Sequence, residues 1–187
     1  MANILKGMPG ILAAPFIAAA ILLAISAAPK LMDPMPLVRA LHSVNIPANR
    51  TLVRLFATVQ FGIFAAAIIA PSRWPAAALC CIYVGFSAFV WIALRQGGVM
   101  QSCGCFGKAD TPPTRSHLLV TLGLAAAAGA VAVQPSLAAV ARDPVVIAVT
   151  WVGAALVAFL AWQVFSALPA TTPAAIRSIH THANRST

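Results

Sequence analysis

Apolar residues fall in long runs along this chain, broken by short polar, proline-rich stretches. Five of the runs approach the roughly 20 residues that a helix needs to cross a hydrocarbon core. They cover Met8 to Ala28, Leu52 to Ala70, Ala76 to Leu94, His117 to Val133 and Pro144 to Leu168. The first is long for a signal peptide and lacks a cleavable small-residue end, so it reads as a retained span. Pro9 falls in its first turn, where a missing N–H costs little, and Pro15 lies deeper and is expected to kink it. Pro29 to Arg50 reads as a connecting segment. Within it, Pro34 to Val44 has the pattern of a short amphipathic helix. Met35, Leu37, Val38 and Leu41 supply an apolar side, while Arg39, His42 and Ser43 can stay wet, which suits the membrane interface. Pro71-Ser72-Arg73-Trp74-Pro75 is a tight turn that makes the second and third spans antiparallel neighbours, with Trp74 in an interfacial belt. The fourth span is rich in alanine and glycine and should pack closely, with Thr114 or Ser116 as its cap. The polar tail from Pro169 to Thr187 is expected to be loosely ordered. The pattern therefore predicts an all-α integral membrane protein. It has a four-helix transmembrane domain over residues 1–134, an additional span within 135–168, a tail over 169–187 and a short interfacial helix.

Composition narrows the solvent. Of 187 residues, 61% are apolar and 8% are charged, against roughly 25% charged in an ordinary soluble domain. Such a chain cannot cover a globular surface with polar groups, so lipid is its surroundings. The net charge of +9 comes from basic residues that flank the apolar runs. They form no stripe, which fits lipid headgroups and argues against nucleic acid as a partner.

The polar loop between the third and fourth spans, Arg95 to Ser116, carries the chemistry. At its centre stands Cys103-Gly104-Cys105-Phe106-Gly107. Thiolate is the reactive form of cysteine, and the loop sets Arg95, Lys108 and Arg115 against a single acid, Asp110. A glycine between the thiols lets the backbone close a very small disulfide ring, whose departure from relaxed geometry makes it reducible. Cys103 and Cys105 therefore read as a reversible dithiol/disulfide pair. A fixed disulfide, two idle thiols and a soft-metal site are the other readings, and a metal would need further ligands.

Other candidates are weaker. Cys80 and Cys81 read as buried small apolar residues. The 19 residues from Cys81 to Met100 span roughly 28 Å at a helical rise of about 1.5 Å, so direct exchange with the loop pair within one chain is not expected. Gln60, in mid-span, reads as an interhelical hydrogen-bonding group or as part of a ligand pocket. His117, at the mouth of the fourth span, reads as interfacial, or as a base or ligand beside the loop. His180 and His182 are a weak metal signal on the tail. No metal site is assigned.

Several of these residues resemble the MauE branch of the MauE/DoxX membrane proteins. Ala28-Pro29-Lys30-Leu31-Met32-Asp33-Pro34 is similar to that family's G/A-x-K-L-x-D-P segment, and Asn45-Ile46-Pro47 to its glycine–hydrophobic–proline step. Gly98 with Cys103-Gly104-Cys105-Phe106-Gly107 resembles its G…CGCFG signature, the specific part of the match. The resemblance covers roughly Ile4 to Gln134. The chain departs from the pattern at Gln60, where the family often carries glutamate, and at Arg115-Ser116, where it often has Arg-Asn. The resemblance implies a role in methylamine utilisation: maturation of the disulfide-rich small subunit of methylamine dehydrogenase, a secreted enzyme. It also implies a thioredoxin-like, MauD-like partner and a bacterial inner membrane location. The core looks similar to vitamin K epoxide reductase and DsbB-type proteins, which by analogy implies a quinone as electron acceptor.

Sidedness remains a conflict. With five spans, Lys6, Arg73 and Arg142 lie on one side and the other nine of the twelve basic residues lie with the cysteine loop. The positive-inside bias puts the loop in the cytoplasm, whereas the family role implies the periplasm. Two rival functions are a soft-metal binding or transport protein, and a membrane anchor for a thioredoxin-like partner.

Overall fold

The computed structural model describes residues 8–43, 45–95, 114–134 and 144–166. These residues form six helices: α1 (Met8–Met32), α2 (Met35–Ser43), α3 (Arg50–Ile69), α4 (Arg73–Arg95), α5 (Arg115–Val133) and α6 (Pro144–Ser166). All except α2 are long and apolar enough to cross a membrane. The protein is an all-α, multi-pass integral membrane protein, as the hydrophobic pattern predicts. The Cys103–Cys105 loop and the tail lie outside the described residues.

α1 is the axis of the bundle. Its membrane window is 56% buried inside the protein, against 22–33% for the other four spans. Ala13, Ala18, Ala19, Ala20 and Ala27 are buried along it, with Phe16, Leu22 and Leu23 between them. Lipid tails are as apolar as leucine, so membrane helices associate through packing, and small residues permit close approach. α3, α4, α5 and α6 all pack on α1. α6 therefore belongs to the same bundle as the first four spans. A Cβ placed on Gly153 would lie 3.3 Å from the Cβ of Ala14, and Ala154, Ala158 and Ala161 carry the buried side of α6. α4 and α5 form another close pair: a Cβ on Gly129 would come within 3.3 Å of the Cys80 thiol.

The connection from α1 to α3 is more structured than its composition implies. α1 runs through Pro29 and ends at Met32, so the connecting segment opens later than expected. A proline inside a membrane helix is tolerated where neighbours and local adjustments satisfy the freed carbonyl. The Asp33 carboxylate accepts the backbone N–H of Met35 at 3.0 Å and starts α2. At the far end Asn45 takes φ +58°. The Ile46 N–H then reaches the Leu41 carbonyl at 2.9 Å, and the Asn45 N–H reaches His42 at 3.0 Å. This paired closure with one left-handed residue is a Schellman end. Glycine is the residue best suited to that conformation and asparagine comes next. The Asn49 side chain accepts the Leu52 N–H at 2.7 Å and starts α3. The second turn is also shorter than expected. α4 begins at Arg73, so Trp74 and Pro75 occupy its first turn, and Trp74 is 76% exposed.

Candidate functional site

Two features carry the candidate site. The first is its root. Cys103, Gly104, Cys105, Phe106, Gly107 and Lys108 lie outside the described residues, but both ends of the loop are described. It leaves α4 at Arg95 and re-enters α5 at Arg115, so it joins the ends of two helices that pack directly on one another. The Arg95 guanidinium lies 3.8 Å from the centre of the Trp91 ring, a cation–π contact. Arg115 is exposed. Thr114 is the cap of α5: its hydroxyl accepts the His117 N–H at 3.3 Å and lies 2.7 Å from His117 Nδ1. His117 is buried, at 4% exposure.

Polar contacts continue inward from this root. The Thr121 hydroxyl lies 2.9 Å from the His117 carbonyl and 2.9 Å from the Ser87 hydroxyl. Ser87 also reaches the Tyr83 carbonyl at 2.8 Å, and the Tyr83 hydroxyl donates to the Ala19 carbonyl of α1 at 2.8 Å. The ladder ties α5 to α4 and α4 to α1, which fixes the two helix ends that carry the loop. Hydrogen bonds between membrane helices average about 0.6 kcal/mol each. A small set of them orients helices more than it stabilises them.

The second feature is a groove of about 520 Å³ bounded by α1, α2, α3, α4 and the 46–48 segment, within the roughly 300–1,000 Å³ of small-molecule sites. Phe56, Phe86 and Phe89 form its aromatic wall, and Lys30 is among the residues that line it. Lys30 is only 2% exposed. Its ammonium donates to the Ser26 carbonyl at 2.6 Å and sits 5.5 Å from the centre of the Phe86 ring. The stem thus leans back one turn into the bundle, because helical side chains point toward the helix N-terminus. A lysine near the end of a span ordinarily reads as a residue reaching out to the headgroups. Lys30 instead turns inward, although it is one of the nine basic residues counted on the side of the cysteine loop.

The pairs named from sequence separate. Cys80 and Cys81 are both free thiols. Cys80 is half-buried against Gly129, whereas Cys81 is exposed and lines the groove. Neither Gln60 nor His117 lines it. Gln60 is completely buried, and neither atom of its amide has a hydrogen-bond partner among the described residues. The expected interhelical hydrogen bond is therefore not formed with them. An orphaned buried amide costs about 1–3 kcal/mol, so Gln60→Leu is expected to raise the unfolding midpoint of the purified protein in detergent. A lowered midpoint would mean that the amide has a partner beyond the described residues. Among the described residues no cluster of three or more histidine, cysteine or acidic side chains could hold a metal ion.

The match that decides the family covers residues 8–134, against the model described as methylamine utilisation protein MauE. The chain belongs to the MauE family. This membership ties the protein to methylamine utilisation. No curated protein and no solved structure matches the chain. The matched region takes in α1 to α5 and leaves α6 outside, although α6 packs on α1 as closely as the helices within the match. The left-handed Asn45 gives a physical reading of one MauE feature. The chain needs a residue that tolerates positive φ where the family resemblance calls for glycine.

Proposed function

We propose that this MauE-family protein is a membrane thiol–disulfide exchange protein that supports disulfide formation in a secreted redox enzyme, by resemblance the small subunit of methylamine dehydrogenase. The single observation that carries this reading is Cys103-Gly104-Cys105 in a basic loop between two helix ends. The packed ends of α4 and α5, with the capped and buried His117, support it by giving such a loop a fixed root. In the exchange a thiolate of the partner attacks the Cys103–Cys105 disulfide. The mixed disulfide is resolved by the partner's second thiol, which leaves an oxidised partner and a reduced loop. Two electrons and two protons have then passed to the loop, and a membrane oxidant of the quinone class, implied by the resemblance, takes them up. Lys108 and Arg115 favour the loop thiolate as leaving group. A thioredoxin-like protein is the natural carrier between loop and substrate. The loop faces the periplasm of a bacterial inner membrane in this reading.

The test is alkylation in intact cells with a membrane-impermeant maleimide, in a variant with Cys80 and Cys81 replaced by alanine. Labelling of Cys103 and Cys105 only after reduction is the expected result. Labelling that needs permeabilisation of the membrane and no reductant would place reduced thiols in the cytoplasm and end the proposal.

A further inference from the structure

Three arginines gather where α2 meets α3. Arg50 and Arg54 lie one turn apart on the exposed side of α3, within the stretch able to cross a membrane. The Arg50 Nε–H donates to Met35 Sδ of α2 at 3.1 Å. Arg39, one turn past Met35 on the same side of α2, is exposed as well. Asp33 is the only acid among the described residues, and its carboxylate accepts the Met35 N–H at the start of α2. The junction therefore carries an excess of positive charge where an interfacial helix meets the end of a span. That is the depth of the lipid phosphates.

Inward from Arg54 the helix surface is smooth. Thr58, Gly62 and Ala66 follow at intervals of four residues, so they continue one ridge from Arg54, and all four are exposed. The Thr58 hydroxyl turns back to the Arg54 carbonyl at 3.0 Å. A Cβ on Gly62 would meet no atom within 4 Å. Exposed Leu55 and Val59 border this track. It runs about 18 Å from Arg54 to Ala66, and one leaflet of the hydrocarbon core is about 15 Å deep. A second copy of the chain is the rival occupant, because small residues let helices approach closely. A two-fold pair in one membrane keeps both copies in the same orientation, so a dimer on this ridge would set Arg54 near its own counterpart. Like charges oppose that pairing, whereas an anionic lipid brings the opposite charge to the same arginines.

We propose that this junction is a binding site for an anionic phospholipid, its phosphate set among Arg39, Arg50 and Arg54 and one acyl chain lying along Thr58, Gly62 and Ala66. Guanidinium groups suit the task, because each can hold a phosphate through two parallel N–H···O bonds. The site is independent of the cysteine loop and its chemistry.

The test uses the purified full-length protein in a non-ionic detergent, with bound lipid counted by native mass spectrometry. Dioleoyl phosphatidylglycerol is the probe. Dioleoyl phosphatidylcholine, with the same chains and a head of no net charge, is the control. One phosphatidylglycerol is expected to stay bound at concentrations where phosphatidylcholine does not. Arg54→Gln should weaken it about tenfold, the loss of one charge-assisted contact. Arg73→Gln removes an equally exposed arginine at the start of α4 and should leave binding unchanged. Gly62→Phe should obstruct the track and weaken binding without disturbing the core, since the space at Gly62 is open. Equal retention of the two lipids, or the same loss in Arg73→Gln as in Arg54→Gln, would show an ordinary lipid shell and overturn the proposal. Full binding in Gly62→Phe would overturn it as well, because the chain would then lie elsewhere. A last arm replaces all four native cysteines by serine and adds Thr58→Cys. Disulfide-linked dimers of that variant in membranes would give the ridge to a second copy and overturn the lipid site. If Arg54→Gln fails to accumulate, the lipid comparison and Gly62→Phe still decide the question.

Discussion

Cys103→Ser combined with Cys105→Ser is expected to reduce maturation of the secreted partner enzyme to background, while the membrane protein itself accumulates at the normal level. Serine keeps the size of cysteine but cannot form a disulfide, so no electron pair can be accepted. Either single variant should also fail, and it should do so differently. One remaining thiolate can still attack the disulfide of the oxidised partner, the reverse of the exchange, forming a mixed disulfide and releasing the partner's other sulfur as thiolate, but the second loop sulfur is no longer there to complete an exchange. A trapped, reductant-sensitive conjugate on a denaturing gel is the signature to look for. Normal maturation in the double variant would leave the protein as an anchor and sink the exchange mechanism. Accumulation is the necessary control, and the fold predicts that it is unaffected. Among the described residues, the core that holds the bundle together is built from residues of the spans.

Ala19→Leu is expected to destabilise the protein by about 3 kcal/mol, the upper end of ordinary overpacking. Ala19 is completely buried on the central helix, and its carbonyl accepts the Tyr83 hydroxyl at 2.8 Å. Three added carbon atoms have no space there. They would push α4 from α1 and break that hydrogen bond together with the packing around it. Ala28→Leu makes the same chemical change on the exposed side of the same helix and should shift the midpoint by less than about 0.5 kcal/mol. Unfolding of both variants in mixed micelles, followed by circular dichroism, provides the comparison. Equal effects would mean that α1 is not the close-packed axis of the bundle.

The spans were legible in the sequence because hydrocarbon thickness sets a minimum length for each apolar run, and every boundary fell within a few residues. The amphipathic α2 was legible for a related reason: Leu37, Val38 and Leu41 recur at helical spacing beside wet Arg39 and His42. The central position of α1 was not legible. Its alanines look like the alanines of α5, and only the three-dimensional arrangement shows that α1 is surrounded by partners while α5 keeps Leu119 and Leu122 exposed. The inward turn of Lys30 was not legible for the same reason. Hydropathy records that a residue is polar, but the choice between reaching out to headgroups and turning inward depends on which neighbours flank the helix end. The loop cysteines were legible as chemistry through their spacing and charge.

The arrangement around α1 has a consequence for biogenesis. Of the described helices, the one synthesised first is the one most enclosed. Its contact with α6, Ala14 against Gly153, joins the first and last of the described helices. Enclosure of α1 is therefore completed only after α6 has entered the bilayer. Until then the alanine surface of α1 is held only by lipid or by the insertion machinery, and closing so distant a contact is intrinsically slow. Synthesis of this protein thus passes through a partly assembled state with an open seam along its first helix. Quality-control proteases of the membrane would meet the chain in that state.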